Sequence, residues 1–190
     1  MKRCAAWLLA IIFALGITGC SREGKSPDGI LGKNEYTAVV AYAGWADPDT
    51  FCLGGLNAQK MYISSVQHLP IYRFDTMAQF TQFRSSCDPA AIAQGYDEMP
   101  SLQAVAASFD ETFFEENTLL MVYVGSGSGT YRFGVNSVFC DGKALCIHVE
   151  QTNHPQVATD DMAGWLIMVA VPDRVAEDCV EFDADLNHFS

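Results

Sequence analysis

The acidic side chains near the end of this chain are its best candidates for chemistry with an ion. Glu181, Asp183 and Asp185 alternate with apolar residues, and in a strand this alternation places all three on one face. Carboxylate oxygens are the ligands that calcium prefers. Together with Asp160 and Asp161 they could bind calcium outside the cell, although a solvated acidic strand edge explains the same pattern.

Histidine chemistry has weaker support in the sequence. The four histidines are His68, His148, His154 and His188, and none stands at metal-ligand spacing from a cysteine or another histidine. A cysteine–histidine enzyme could still assemble in space, because such pairs need not be adjacent in the sequence. The simpler interpretation places His148 on a sheet face and the others in loops or at the terminus. We therefore expect no catalytic residue and no cofactor.

A run of small residues, Gly125-Ser126-Gly127-Ser128-Gly129, has the composition of a ligand-binding loop. A phosphate-binding loop needs Gly-Lys-Ser/Thr followed by a helix, whereas Thr130 and a predicted strand follow here. A serine-hydrolase elbow needs serine at the centre of Gly-x-Ser-x-Gly, and the central residue is glycine. The run is predicted to be a connector, and any function it has is contact with a partner.

The first 20 residues have the features of an export signal. Lys2 and Arg3 precede an apolar stretch at residues 5–17 that is too short for a stable membrane span. The small residues before Cys20 resemble a bacterial lipobox. This resemblance implies that Cys20 receives a lipid carrying fatty acyl chains such as palmitate and becomes the first mature residue. An ordinary cleaved signal with a chance cysteine is the alternative.

The lipobox resemblance sets the predicted domain organisation and location. Residues 1–19 form the signal peptide, residues 20–35 a flexible tether rich in Gly, Lys, Ser and Pro, and residues 36–190 one globular domain. The protein is then expected on the extracytoplasmic face of the cell membrane, attached through the lipid on Cys20. Removal of residues 1–19 leaves nine basic residues against 23 acidic ones, a formal charge of −14. This surface has too few cations for phosphate backbones, so nucleic acid is excluded as a partner.

The pattern of residues 36–190 predicts an α+β fold with a mainly antiparallel sheet and one or two short amphipathic helices. Strands are predicted at residues 36–42, 61–66, 69–74, 118–124, 131–139, 145–150 and 162–172, with an edge strand or lining segment at 181–185. A helix capped by Asp75 is expected to end near Cys87, and a capping box at residues 108–111 predicts a short helical turn. Residues 173–178 are expected to form another turn, residues 44–55 a loop, and residues 90–107 little regular structure.

Three strands are predicted to pair through hairpins. Residues 118–124 and 131–139 form one hairpin, and Gly142 takes the left-handed position in the turn that leads to residues 145–150. Inward side chains are then Phe133, Val135, Phe139, Leu145, Ile147 and Val149, with Cys146 and His148 on the other face. Cys140 lies at the hairpin tip and Cys146 opposite Asn136, too far apart for a disulfide. Cysteines 52, 87, 140, 146 and 179 are odd in number, so at least one thiol stays reduced.

Residues 162–172 form the most hydrophobic segment after the leader. Trp165, Ile167 and Val169 share one face and Leu166 and Met168 the other, so both faces are covered, as in a central strand. Trp165 either anchors the core or stands at the mouth of a groove.

Part of the chain resembles known lipoproteins. The strand, small-residue loop, aromatic strand and closing strand of residues 118–172 resemble the C-terminal domain of PrcB-type protease-complex lipoproteins. A closer resemblance, to uncharacterised Firmicutes lipoproteins, is carried by Phe113-Phe114-Glu115-Glu116-Asn117, Asp161-Met162-Ala163-Gly164-Trp165 and Glu181-Phe182-Asp183-Ala184-Asp185. The PrcB-like sheet core spans residues 108–186, without the Thr-Gly-Gly-Tyr run of that family. The resemblance implies a part in assembling or stabilising a secreted protease.

These observations predict a lipid-anchored, non-enzymatic binding or protease-accessory module. Its partner is a secreted protease or another envelope protein, and its contact surface comprises Gly125, Ser126, Gly127, Ser128, Gly129, Asp161 and Trp165. The alternatives are an extracytoplasmic hydrolase using acidic or histidine residues assembled in space, and a structural envelope lipoprotein.

Overall fold

Two β-sheets and a layer of short helices make up the fold of this computed structural model, which describes residues 29–32, 34–44, 56 and 67–187. The strands are β1 (Thr37–Gly44), β2 (Ile71–Phe74), β3 (Asn117–Ser126), β4 (Phe133–Cys140), β5 (Ala144–Gln151), β6 (Ala163–Pro172) and β7 (Glu181–Asn187). The helices are α1 (Met77–Ser86), α2 (Pro89–Ala93), α3 (Leu102–Ala106) and α4 (Asp173–Ala176), with a 3₁₀ turn at Phe113–Glu115. The predicted strand at residues 61–66 and most of the predicted loop at 44–55 lie outside the described residues.

The strands form one four-stranded and one three-stranded sheet. The first has the order β1-β6-β3-β2 and is antiparallel throughout, and the second has the order β4-β5-β7, with β5 and β7 parallel. One face of β6 and β3 packs against the three-stranded sheet, and the other packs against the helices. The α+β class and the single domain are as predicted.

Strand β6 confirms the prediction of a central strand. It pairs with β1 on one edge and with β3 on the other. Trp165, Ile167 and Val169 belong to the core between the two sheets, and Leu166 and Met168 to the core beneath the helices. The absence of polar residues from this segment is explained by its burial on both faces.

The predicted hairpin of residues 118–124 with residues 131–139 is wrong. Residues 127–132 carry the chain from β3 in one sheet to β4 in the other, so the two strands do not pair. The physical reason is burial: β3 is covered on both faces from residue 118 to residue 124, whereas β4 is only partly buried. A strand covered on both faces belongs in the middle layer, and a half-exposed strand belongs outside it.

Strands β4 and β5 pair as an antiparallel hairpin, as predicted, and Gly142 has the expected left-handed conformation with φ of 91°. The predicted register is wrong along the whole hairpin: we placed Cys146 opposite Asn136, which sets Val135 opposite Ile147, whereas Val135 lies opposite Val149. The pairing also shifts by one residue between Val135 and Ser137. Such a bulge exchanges the two faces of the strand. Val138 therefore points into the core where Phe139 was expected, and Phe139 lies opposite Cys146.

Several local predictions around the helices are also wrong. Thr76, and not Asp75, caps α1, because its hydroxyl accepts the amide of Gln79. The capping box at residues 108–111 does not form: the Ser108 hydroxyl donates back to Val105, and Asp110 accepts the amide of Phe113. Residues 90–107 contain α2 and α3 instead of irregular chain, and α3 is fixed by the burial of its apolar side chains, which is a tertiary effect.

The described end of the predicted tether lies against β4. The Leu31 amide donates to the Val138 carbonyl at 2.8 Å, and the Cys140 amide donates to the Gly29 carbonyl at 2.7 Å. These hydrogen bonds attach residues 29–31 to the domain. The contacts of the domain therefore begin before residue 36, the residue at which we predicted the domain to start.

Cys140 and Cys179 meet in the core between the sheets, with their sulfur atoms 3.5 Å apart. Cys140 and Cys146 are not bonded to each other, as predicted. Burial, reinforced by the neighbouring Cys140 thiol, raises the pKa of Cys179 to about 12. Because the thiolate is the reactive form, this thiol is predominantly protonated at neutral pH.

We expect Cys140 and Cys179 to resist alkylation by iodoacetamide in the native protein at pH 8. The half-buried Cys146 should be modified first, since it has greater access to solvent. Mass spectrometry of the peptides after timed quenching measures the three rates, and the same reaction in urea provides the unprotected reference. Equal native rates for Cys179 and Cys146 would contradict the burial and the raised pKa.

Candidate functional site

The small-residue loop and the segment before β6 meet at one end of the sheets. The Gly129 amide donates to Asp161 Oδ1 at 3.0 Å, and the hydroxyls of Ser128 and Thr159 lie 3.0 Å apart. The two segments in which we predicted a contact surface are therefore joined by direct hydrogen bonds. We call this end of the molecule, residues 125–132 and 152–162, the loop end.

Asp161 connects its own segment to the glycine-rich loop and to Tyr96. Besides the Gly129 amide it accepts the Tyr96 hydroxyl at 2.9 Å. Hydrogen bonds from the Thr159 hydroxyl and the Gly129 amide hold the pKa of Asp161 below its usual 3.8. The carboxylate in turn raises the pKa of Tyr96. Asp161 is therefore a charged hydrogen-bond acceptor that holds the loop in place.

The lowered pKa of Asp161 predicts an acid-dependent weakening of the loop end. A carboxylate with a lower pKa in the folded state contributes its stabilisation fully above its unfolded value of 3.8. That contribution disappears as the pH falls through the folded pKa. We expect the loss of stability between pH 6 and pH 3 to be smaller in Asp161→Asn than in the unsubstituted protein, as measured by urea unfolding. The exposed Asp178→Asn variant is the control and should retain the full loss.

Arg132 supplies the positive charge at the loop end. Its guanidinium lies 5.0 Å from the centre of the Trp165 ring and 5.7 Å from that of Tyr96, within cation–π range. One terminal nitrogen donates to the Gly129 carbonyl at 2.7 Å and to the Tyr131 carbonyl at 3.0 Å. The other donates to Asp97 at 3.2 Å. Arg132 thus joins the loop to the aromatic side chains beneath it.

A polar hollow of about 630 Å³ opens beside Arg132. Its lining consists of Tyr96, Asp97, Thr130, Arg132 and Asn153. Asn153 braces the wall, because it accepts the Arg132 amide at 2.7 Å and donates to the Thr130 carbonyl at 2.8 Å. Asp97 has a φ of 54°, a left-handed conformation that non-glycine residues rarely adopt. The lining offers a cation, a carboxylate, an amide and hydroxyls, which suit hydrogen bonding to a polypeptide.

Sequence analysis missed most of this lining. Tyr96 and Asp97 lie in a segment for which we predicted no regular structure, and Asn153 lies in a polar loop. The available signal was Arg132, a cation that follows the glycine-rich run after Thr130 and Tyr131 in an acidic chain.

The individual residues of the predicted contact surface differ in exposure. Gly125 and Gly127 are exposed and Ser126 is partly exposed, whereas Ser128 and Gly129 are buried against the neighbouring segment. Trp165 has no exposed area, so it cannot touch a partner in this conformation. The prediction that Trp165 contacts a partner is therefore wrong. Trp165 has the other predicted role, a core anchor, and its ring lies beneath Arg132.

Two apolar side chains stand out from the surface of the segment that holds Asp161. Val157 is 78% exposed and Met162 is 53% exposed. Apolar patches on a surface are typical of contact sites, whereas single exposed apolar side chains are common anywhere.

A second cluster of reactive side chains lies on the outer face of the three-stranded sheet. His148 Nδ1 lies 2.9 Å from Asp185 Oδ1, and Cys146 Sγ lies 3.8 Å from Asp185 Oδ2. Beside it, His68 Nδ1 lies 3.0 Å from Asp183 Oδ1. His148 is on a sheet face, as predicted, and the alternation of β7 places Asp183 and Asp185 on the same side.

The predicted acidic calcium ligands do not all come together. Asp161 is bonded at the loop end, whereas Asp183 and Asp185 face His68 and His148. Within the described residues, the one group of three metal-competent side chains with ligand atoms inside 4.8 Å of each other is Cys146, His148 and Asp185.

The fold and these two sites define the class of this protein as a single α+β domain with a braced, polar loop end. Comparison of the chain with family models, with curated proteins and with solved structures finds no match in any of the three. Of the residues described, no helix has the length and apolar character needed to cross a bilayer.

Proposed function

We propose that this protein is a lipid-anchored lipoprotein on the extracytoplasmic face of the cell membrane that acts as a non-enzymatic binding or protease-accessory module. Its partner is a secreted protease or another envelope protein, bound at the loop end. The observation that carries the proposal is the exposure of Val157 and Met162 on the same segment that Asp161 ties to the glycine-rich loop.

The mixture of apolar and hydrogen-bonding groups at the loop end supports a polypeptide partner. Apolar contacts from Val157 and Met162 would supply buried area, and the polar hollow around Arg132 would accept main-chain or side-chain groups of the partner. The bonds from Asp161 and Asn153 hold the surface in one conformation before binding, which lowers the entropic cost of association.

The test of the contact surface is a pull-down from detergent-solubilised membranes with the full-length protein. Val157→Ser and Met162→Ser are expected to lose a partner that the unsubstituted protein recovers in stoichiometric amount. Val180→Ser is the matched control, since Val180 is 79% exposed and lies outside the loop end, with its amide bonded to the Lys143 carbonyl in the β4–β5 turn. Recovery of the same partner by all variants, or of no partner by any, contradicts the proposal.

The test of the anchor is the fractionation of a Cys20→Ala variant. Lipid attachment predicts that the unsubstituted protein sediments with membranes and releases a labelled fatty acid on hydrolysis. The Cys20→Ala variant should carry no lipid label. An unprocessed chain in the cytosol would contradict the proposed location.

The hydrolase alternative has one specific observation in its favour, the assembly of Cys146, His148 and Asp185 on a partly exposed sheet face. A carboxylate bonded to histidine Nδ1 is the orientation that triads use. The Cys146 sulfur lies 3.8 Å from Asp185 Oδ2 and within 4.8 Å of an imidazole nitrogen of His148. Turnover of ester or peptide substrates that His148→Ala abolishes would favour this class, and a structural envelope lipoprotein would show neither turnover nor a partner.

A further inference from the structure

We propose that Cys146, His148 and Asp185 bind a divalent transition-metal ion of the zinc class on the outer face of the three-stranded sheet. This site is separate from the loop end and does not depend on the proposed function. It differs from the acidic calcium site considered from the sequence, because its ligands are a sulfur, a nitrogen and an oxygen.

The strand register brings the three ligands together. Cys146 and His148 are two residues apart on β5 and therefore share a face. Asp185 on β7 lies directly opposite His148 in the parallel pairing of the two strands. Two adjacent strands with this pairing hold the ligand set on rigid backbone, a favourable arrangement for a preformed site.

The distances suit a tetrahedral ion after small side-chain movements. Zinc binds sulfur at about 2.3 Å and nitrogen or oxygen at about 2.0–2.2 Å, so tetrahedral geometry places the ligand atoms roughly 3.4–3.6 Å apart. The sulfur and the carboxylate of Asp185 are 3.8 Å apart, and the imidazole nitrogen and the carboxylate are 2.9 Å apart. For those bond lengths the first separation must shrink by roughly 0.2–0.4 Å and the second must widen by roughly 0.5–0.7 Å. All three ligand atoms already lie within 4.8 Å of one another.

The chemistry of the ligand set selects the ion. Thiolate and imidazole favour zinc and similar ions, whereas calcium and magnesium require oxygen ligands. On binding, the thiol proton of Cys146 passes to solvent, and His148 binds as a neutral imidazole through Nδ1, with its one proton on Nε2. Three protein ligands leave the fourth position for water.

The neighbouring His68–Asp183 pair supports the site from the side. Asp183 lies opposite Cys146 in the β5–β7 register, and its carboxylate is 3.0 Å from His68 Nδ1. Residues 67–69 also pair with β7, since the Leu69 amide donates to the Ala184 carbonyl at 2.7 Å. The strand that carries Asp185 is thus bonded on both edges, which restricts the movement of this ligand.

The proposal is tested by isothermal titration of the purified, chelator-treated full-length protein with zinc, and by cobalt(II) absorption, which reports a bound thiolate. We expect one zinc ion per chain, a cobalt–thiolate band, and a higher melting temperature with zinc but not with calcium. His148→Gln, Asp185→Asn and Cys146→Ser should each weaken zinc binding by more than the roughly 10- to 100-fold loss that outer partners of a ligand cause.

The controls are His154→Gln and Asp178→Asn, which alter exposed residues of the same types away from the cluster. They should bind zinc with unchanged affinity. Melting curves recorded without metal establish that each variant is folded. Zinc affinity that is unchanged in the folded His148→Gln and Cys146→Ser variants, or calcium binding in preference to zinc, overturns the proposal.

Discussion

Replacement of Trp165 by alanine is expected to lower the free energy of unfolding by about 3–5 kcal/mol, the range measured for large aromatic side chains removed from cores. Trp165 has no exposed area and lies in the central strand β6. Its ring packs edge-on against Tyr42 at 5.3 Å and Tyr96 at 6.1 Å, with the Arg132 guanidinium above it. The cavity would thus disturb both the core and the support of the loop end.

The measurement is thermal unfolding, with an expected decrease in melting temperature of roughly 6–20 °C for a domain of this size. Trp165→Phe is the matched control, since it keeps a ring beneath Arg132 and removes an indole N–H that is buried without a hydrogen-bond partner. We expect it to cost less than about 1.5 kcal/mol. An alanine variant that melts at the same temperature as the unsubstituted protein would contradict the core role of Trp165.

Gly129→Ala is expected to destabilise the protein by about 1–3 kcal/mol, because it overpacks a site where three segments meet. A Cβ atom at this position would lie 2.7 Å from Asp161 Oδ2 and 2.8 Å from the Tyr96 ring. Asp161 accepts the Gly129 amide of the loop and the Tyr96 hydroxyl, so relief of the clash breaks the contact between the loop and Asp161.

Gly127→Ala is the control in the same loop, since no atom lies within 4 Å of the Cβ position there. Alanine at this position should leave stability unchanged or raise it by up to about 1 kcal/mol, because it restricts the unfolded chain. Urea unfolding measures both variants. Equal effects at the two positions would mean that Gly129 is not packed against Asp161 and Tyr96.

The two candidate sites, the loop end and the cysteine–histidine–aspartate cluster, differ in how far the sequence predicts them. The glycine-rich loop and Asp161 were identifiable from composition and from a motif, and their contact followed from both lying at strand ends. The rest of the hollow was not identifiable from the sequence, because Tyr96 and Asp97 lie beside Arg132 but belong to a segment with no periodic pattern. The cysteine–histidine–aspartate cluster was likewise hidden, since Asp185 is 37 residues from His148 in the chain.

The sequence by itself determined the properties that depend on local pattern. The uniform hydrophobicity of β6 predicted a strand covered on both faces, and the alternation of β5 and β7 predicted which of their side chains point outward. Gly142 similarly predicted the turn between β4 and β5. Each of these follows from the periodicity or conformational range of a few adjacent residues.

The tertiary structure alone decided which strands are neighbours. The sequence pattern of a strand indicates how many of its faces are buried, but it does not identify the strand that pairs with it. The patterns of β3 and β4 are therefore compatible with a hairpin, and only the structure places them in different sheets. The bulge after Val135 is equally non-local, because it is a feature of the pairing between β4 and β5. Both candidate sites combine residues that are distant in sequence. Strand pairing assembles Cys146, His148 and Asp185, and the hydrogen bonds of Asp161 join the segments of the loop end.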